Sequence, residues 1–329
     1  RRIIYLLIYL LLLIIFFYYY FYIAQSENIE KNGTVLNQDN TELQFQNISK
    51  KEYELKILEK TGMKFSTPLT HICNKNLNKK IGISISEVNE DFENGFENIH
   101  LRTAQEEIAK YLLFTKNEIV YGGDINYDKK FNFVRVLADI SKSYRFGERA
   151  IQNYCLNTIF KKIPVKIRAK YKNTINFIDF NKNANFSENL SLMRKEMNDK
   201  CDARVMLGGK HYGYSGKYPG LLEEAYLTIK SGKPLFLIGG FGGVSKLIID
   251  MISGKNVHEL TYQWQYKQKE NSTFRSLISN GIEVDYNEVT ETIKKSQLNN
   301  LTPEDNQKLF YSTSIEEIVF YLLKGLNNP

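Results

Sequence analysis

From Lys80 onward the chain alternates short apolar runs, each stopped by glycine or serine, with longer stretches of helical period, and no other feature restricts the fold as tightly. The first run is Ile81-Gly82-Ile83-Ser84-Ile85-Ser86, followed by a helix expected from about His100 to Phe114 with Leu101, Ile108 and Leu112 on one face. The second, Glu118 to Tyr121, stops at Gly122-Gly123-Asp124 and leads to a helix over about 131–143, where Phe133, Val134, Leu137 and Ile140 form the apolar stripe. Residues 144–174 carry no regular pattern. A third strand is expected at Thr174 to Ile178, a helix at about Ser187 to Asn198, a fourth strand at Arg204 to Leu207 and a helix from about Pro219 to Ser231. The fifth run, Pro234 to Ile238, enters Gly239-Gly240-Phe241-Gly242-Gly243 and a helix through Met251. Strands separated by helices of this length predict an α/β domain over 78–329, with a mostly parallel sheet flanked by helices and joined by right-handed crossovers. The tail from Val257 is helical in pattern. In it Ser314-Ile315-Glu316-Glu317 has the form of a capping box, and Ile315, Ile318, Val319, Leu322 and Leu323 give the last helix a face to bury on the sheet. Trp264 and its aromatic neighbours read as core or interface.

This domain is preceded by Ile3 to Ala24, IIYLLIYLLLLIIFFYYYFYIA, which holds neither charge nor proline and as a helix spans a ~30 Å hydrocarbon core. It reads as one N-terminal transmembrane helix over residues 1–24, with Arg1 and Arg2 before it and Tyr18 to Tyr20 and Tyr22 where an aromatic belt sits. The alternative is a cleaved signal peptide, but the apolar core exceeds the usual ~7–15 residues and no small-x-small site precedes Gln25. Residues 25–77 are polar, rich in Asn, Gln, Glu and Lys, and read as a linker or stalk with one helical stretch near Lys51 to Lys60.

Composition narrows the chemistry. At 329 residues and 43% hydrophobic the chain supports a sizeable core, and its net charge of +7 comes from Lys and Arg scattered among acids. Such an excess suits an anionic ligand or an anionic membrane surface, and nucleic acid is not an expected partner. The cysteines, Cys73, Cys155 and Cys201, have no C-x-x-C spacing and no adjacent histidine, so neither a metal site nor a redox dithiol is expected.

Three expected strands end in glycines: Gly122-Gly123-Asp124, Gly208-Gly209-Lys210 and Gly239-Gly240-Phe241-Gly242-Gly243. Ligands of open parallel sheets bind outside the carboxyl ends of the strands, so these tips, with Ser84 and Ser86 on the first strand, are expected to converge on one ligand. Glycine allows close backbone approach, and the following helix N-termini offer amides to phosphate. Lys210, His211 and Lys217 add potential charge-assisted donors. Pro219-Gly220 then opens a helix with adjacent acids, Glu223 and Glu224; negative charge there compensates the helix dipole or accepts bonds from ribose hydroxyls.

Taken together, Ile81 to Ser86, His100-Leu101, Tyr121-Gly122-Gly123-Asp124, Arg204 to Lys210, Tyr218-Pro219-Gly220 with Glu223-Glu224-Ala225, and Gly239 to Gly243 resemble the SLOG superfamily, named for the Smf/DprA and LOG proteins. The resemblance covers about residues 80–250. It implies a Rossmann-like fold that binds a nucleotide or an NAD-derived signal, such as a cyclic ADP-ribose isomer made by a TIR-domain enzyme. In the sensor branch found in Thoeris-type defence systems, ligand switches on an attached effector. The only candidate effector here is the membrane helix, which implies ligand-driven homo-oligomer assembly acting on the membrane, with the nucleotide-binding domain on the cytoplasmic side. The basic pair ahead of the helix points to the opposite orientation. The catalytic LOG branch carries Pro-Gly-Gly-x-Gly-Thr-x-x-Glu. Here Leu221 stands where the threonine falls and the Gly-Gly is missing, which weighs against hydrolysis and leaves binding untouched. If the chain is instead a nucleotide N-glycosidic hydrolase, Glu223 and Glu224 are its catalytic candidates.

Overall fold

The computed structural model describes residues 76–89, 97–125, 132–145, 147–182 and 184–327. The apolar run 3–24 and nearly all of the polar stretch 25–77, on which the anchor and stalk expectations rest, lie outside them. Among the described residues no helix is long and apolar enough to cross a membrane.

Six strands, β1 (Lys80–Ser86), β2 (Glu118–Gly122), β3 (Ile151–Leu156), β4 (Ile175–Phe180), β5 (Ala203–Gly208) and β6 (Leu235–Ile238), form one sheet in the order β4-β3-β2-β1-β5-β6. Every adjacent pair is parallel. The helices are α1 (Asn98–Phe114), α2 (Phe133–Tyr144), α3 (Asn157–Phe160), α4 (Val165–Tyr171), α5 (Phe186–Asp199), α6 (Gly220–Lys230) and α7 (Gly243–Ile252). After these come α8 (Tyr262–Lys267), α9 (Ser272–Ser279), α10 (Tyr286–Lys294), α11 (Pro303–Tyr311) and α12 (Ile315–Asn327). The architecture is Rossmann-like, a parallel α/β sheet covered on both faces.

Side-chain alternation along the strands divides the core in two. Ile81, Ile83, Ile85, Val205, Leu207, Phe236 and Ile238 join the buried stripes of α1, α2 and α12 on one face. Met206, Leu235 and Leu237 join α6, α7 and α10 on the other, while Val120, Tyr154 and Phe180 meet Met193 and Met197 of α5. The C-terminal tail closes the free edge of β6, where Leu235 N–H donates to Leu298 O (2.7 Å) and Gly239 N–H to Phe310 O (2.9 Å). That is the packing back onto the sheet expected from the apolar face of the last helix.

Two local expectations need correction. The segment 144–174 is not irregular: it holds β3 and the short helices α3 and α4. The polar pair Gln152-Asn153 hides the strand, because Asn153 is fully buried only by virtue of its Nδ2 donating to the carbonyls of Tyr121 on β2 (3.3 Å) and of Gly123 just after it (3.2 Å). The capping box at Ser314 is half formed. Glu317 N–H donates to Ser314 Oγ (3.4 Å), but the Glu317 carboxylate accepts from Ser312 Oγ (2.6 Å) instead of returning to the cap residue.

Within α12, Gly325 faces the fully buried ring of Phe236, and a Cβ there would overlap Phe236 Cε1 and lie 3.1 Å from Leu301 Cγ. Gly to Ala within a helix ordinarily stabilises by roughly 0.5–1 kcal/mol. Here Gly325→Ala is expected to destabilise by about 1–3 kcal/mol through overpacking, read as a lowered urea midpoint at unchanged slope.

Candidate functional site

The chain builds β1 to β4 outward in one direction, then crosses back to place β5 beside β1, so the strand order reverses between β1 and β5. In open α/β sheets the crevice at such a reversal, outside the carboxyl ends of the strands, is where ligands bind.

The polar side of β1 explains its Ile-Gly-Ile-Ser-Ile-Ser pattern. Opposite Gly82 in register stands Arg204 of β5, whose guanidinium is fully buried. A Cβ on Gly82 would lie 3.0 Å from Arg204 Cζ and 2.9 Å from the Cys201 sulfur, so glycine makes the space. Arg204 Nη1 donates to Glu224 Oε2 (2.8 Å) and Ser84 Oγ (2.9 Å), and its Nε to Thr228 Oγ1 (3.1 Å). The Ser84 hydroxyl in turn donates to Glu224. From α5, Arg194 donates through Nη1 to Glu223 and brings Nε to 3.6 Å from Glu224 Oε1. Two guanidinium groups thus match two carboxylates, with none of the four side chains more than 13% exposed. Charges this deep are tolerated only when paired and hydrogen-bonded.

Arg194 also lies against the start of α6. A Cβ on Gly220 would come within 2.7 Å of its Nη2, and one on Gly216 within 3.0 Å of its Nη1. The N-cap of α6 is Pro219. A cation at a helix N-terminus is unfavourable, and Glu223 in the first turn offsets it.

Of the three glycine-rich tips, two meet at the reversal. Gly208 (φ +67°) and Gly209 (φ +103°) need left-handed backbone, as do Gly242 (φ +69°) and Gly243 (φ +68°). A Cβ on Gly243 would fall 2.6 Å from the Gly208 carbon and the Gly209 oxygen, so the β5 and β6 tips touch main chain to main chain. Val244 N–H donates to Gly209 O (3.0 Å), Gly209 N–H to Ser86 O (3.0 Å) and Lys210 N–H to Ser86 Oγ (3.1 Å). Around Gly242 a Cβ would meet nothing within 4 Å. Ser84, Ser86, Gly208, Gly209, Lys210, Gly242, Gly243, Glu223 and Glu224 therefore form one neighbourhood.

The remaining candidates sit elsewhere. Gly122 packs on Met193 and Met197, and Gly123 on the side chains of Tyr121 and Val134. The Asp124 carbonyl accepts from Asn132 Nδ2 (3.2 Å) at the end of β2. Gly239 faces Ile249 and the Phe310 carbonyl, Gly240 faces the Ser312 carbonyl, and Phe241 is buried in the core. His211 is buried, its ring 5.3 Å from that of Trp264 and 4.8 Å from that of Tyr212. Lys210 and Lys217 are half-buried, and among the described residues neither has a carboxylate within salt-bridge distance. No group of His, Cys, Asp and Glu among those residues is placed to hold a metal ion.

Sequence inspection missed Arg194 and Arg204, although a cation opening the apolar run of β5 was a visible signal that a buried partner had to exist. It also missed two fully buried amides that fix the loop after β5. Gln265 Nε2 donates to the His211 carbonyl (2.8 Å), and Asn271 Oδ1 accepts from Gly213 N–H (2.6 Å). Beyond them Tyr214 and Tyr286 share a hydroxyl–hydroxyl bond (2.9 Å), and burial pushes both phenols up; Tyr218 is pushed up to about 12 by burial, helped by the negative charges of Glu223 and Asp285. Burial and the nearby Glu224 charge likewise raise Tyr121.

An all-parallel sheet with two glycine-rich strand tips meeting at its single reversal defines a Rossmann-like α/β protein. The family model of SLOG cluster2 matches residues 75–185 and 177–309, well over half of the chain, and the protein belongs to this family. Membership suggests binding or processing of a nucleotide-related molecule. No curated protein matches the sequence.

Removing one member of a buried ion pair strands the other. Glu224→Gln is expected to destabilise the fold by about 3–5 kcal/mol, and the double variant Arg204→Met/Glu224→Leu to recover at least half of that, measured by urea denaturation.

Proposed function

We propose that this chain is a membrane-anchored sensor that binds a nucleotide-derived signal at the β1/β5 reversal and triggers a membrane response in anti-phage defence. The observation that carries the binding reading is the main-chain contact between the β5 and β6 tips directly beside the polar edge of β1. Two successive βα connections, into α6 and α7, start there, and the first N–H groups of a helix have no partner within it, although that of Val244 is already given to Gly209 O. Lys210 and Lys217 supply positive charge at the same loop. A phosphorylated ligand, NAD-derived and of the cyclic ADP-ribose type, fits this chemistry.

Binding without turnover is favoured over hydrolysis by the state of the acids. Both Glu223 and Glu224 are held by guanidinium groups, and Glu224 also accepts from Ser84, so neither is a free base for activating water. The apolar run Ile3 to Ala24 supports the anchor; the cytoplasmic placement of the sensor domain rests on the nucleotide ligand alone, since Arg1 and Arg2 ahead of the run point the other way. In this reading a TIR-domain enzyme supplies the ligand, and the ligand acts by favouring one arrangement of a homo-oligomer, so its affinity depends on assembly state.

Full-length protein is expected to gain roughly 5–10 °C in Tm at a hundredfold excess over Kd of one member of a panel of NAD, AMP and cyclic ADP-ribose isomers. Lys210→Ala is expected to weaken that binding by about tenfold or more, with no free base released. Base release abolished by Glu223→Gln would make the chain a hydrolase, and a flat response to every nucleotide would remove the ligand.

A further inference from the structure

The charge that looks scattered in the sequence is concentrated in one place. The segment from α3 to the start of β4 carries Lys161, Lys162, Lys166, Arg168, Lys170 and Lys172 and no acid at all. Arg168 is half-buried and the five lysines are exposed. Ile163 and Tyr171 are buried, so the segment is pinned to the core while its lysines are exposed. Between them Val165 is 71% exposed, the most open large apolar side chain among the described residues. The face extends to Arg149, whose Nε donates to the Lys172 carbonyl (3.0 Å).

Counter-charge is sparse. Among the described residues none of the six cations has a carboxylate within 4.0 Å. Asp139 on α2, whose charge reaches Lys170, already accepts from Tyr171 (3.2 Å) and pairs with Lys142 (3.5 Å). Glu148 is taken by Arg145, and Asp179 accepts from Asn157 Nδ2 (2.8 Å). Arg168 stacks on Phe160 (5.0 Å) and Lys170 on Tyr171 (4.7 Å), so the aromatic rings among the cations already hold cations of the chain itself.

We propose that this basic edge, centred on α4, is a docking surface for anionic phospholipid that holds the domain against the bilayer. Clustered Lys and Arg around one protruding aliphatic side chain match a negatively charged interface with an apolar layer beneath it. The surface flanks β4, the outer strand, three strand spacings or about 14 Å from β1. Arg149 and Lys172 precede β3 and β4, whereas Lys161 and Lys162 follow β3, so the face runs along the sheet edge and its separation from the reversal is the lateral distance to β1. A domain resting on this edge keeps the β1/β5 crevice open to solvent. The inference adds an orientation to the anchored-sensor reading and rests on it only for the source of the membrane.

The test uses full-length protein carrying Cys73→Ser and Val165→Cys, labelled with an environment-sensitive fluorophore. Cys155 and Cys201 are buried, and burial raises the Cys155 thiol to about 12 and also raises Cys201, so neither competes for label. Vesicles of phosphatidylcholine alone are compared with vesicles in which a third of the lipid is phosphatidylserine. Blue-shifted emission is expected only with the anionic lipid, and it is expected to vanish as the Debye length falls from ~10 Å at 0.1 M salt to ~3 Å at 1 M. Lys166→Glu/Lys170→Glu/Lys172→Glu is expected to lower the docked-to-undocked ratio by about a hundredfold or more, at roughly fivefold per cation removed, with an unchanged melting curve. Emission that ignores lipid charge or charge reversal overturns the proposal. So does a labelled oligonucleotide that binds in place of lipid and is released by the same variant. Failure of the chain to float with neutral vesicles defeats the anchor alone; charge-dependent flotation with anionic vesicles then still supports the face.

Discussion

A guanidinium buried in the middle of the sheet sets the terms for everything around it. Arg204 leaves β5 on the side where β1 would otherwise carry large apolar residues, and β1 answers with Gly82, Ser84 and Ser86. Because an unpaired charge at that depth costs several kcal/mol, α6 must present Glu224 to it, and α5 must bring Arg194 to balance Glu223. Four elements, β1, β5, α5 and α6, are thereby locked in one register. That register sets the β5 tip against Ser86 and the β6 tip against the β5 tip, so the crevice inherits its geometry from an ion network beneath it.

Much of this was legible in the residue order. Five of the six strands and the helices between them follow from apolar runs and helical periods, because these signals are local. β3 was not, since Asn153 is acceptable in the core only through bonds to carbonyls of β2, some thirty residues earlier in the chain. The glycine tips look equivalent in sequence and are not equivalent in space. Gly208, Gly209, Gly242 and Gly243 serve main-chain contact, whereas Gly122, Gly123, Gly239 and Gly240 make room for side chains and for the C-terminal segment. What fills the space beside a glycine comes from distant parts of the chain, so periodicity carries no trace of it. The arginines escaped for the same reason: Ser84 and Glu224 are 140 residues apart.

The molecule also separates its two charged surfaces. The crevice lies at the carboxyl end of the central strands, with acids neutralised by arginines and lysines left over at the loop. The second cluster of cations lies along the β4 edge, on a segment that the sheet anchors through Ile163 and Tyr171. In the proposed reading, a phosphorylated ligand at the strand-order reversal and an anionic surface along the β4 edge occupy separate parts of the domain.

Amide hydrogen exchange of the full-length protein, with and without the nucleotide that raises its melting temperature, addresses the central claim most directly. Ligand at the strand-order reversal predicts slowed exchange confined to 208–210, the first turn of α6 and 242–244, the segments around the two tips that meet there. Protection that falls instead on the groove that Arg102, Glu106, Arg135 and Asp139 line between α1 and α2, or on the β2 tip at Gly122-Gly123 alone, would contradict it.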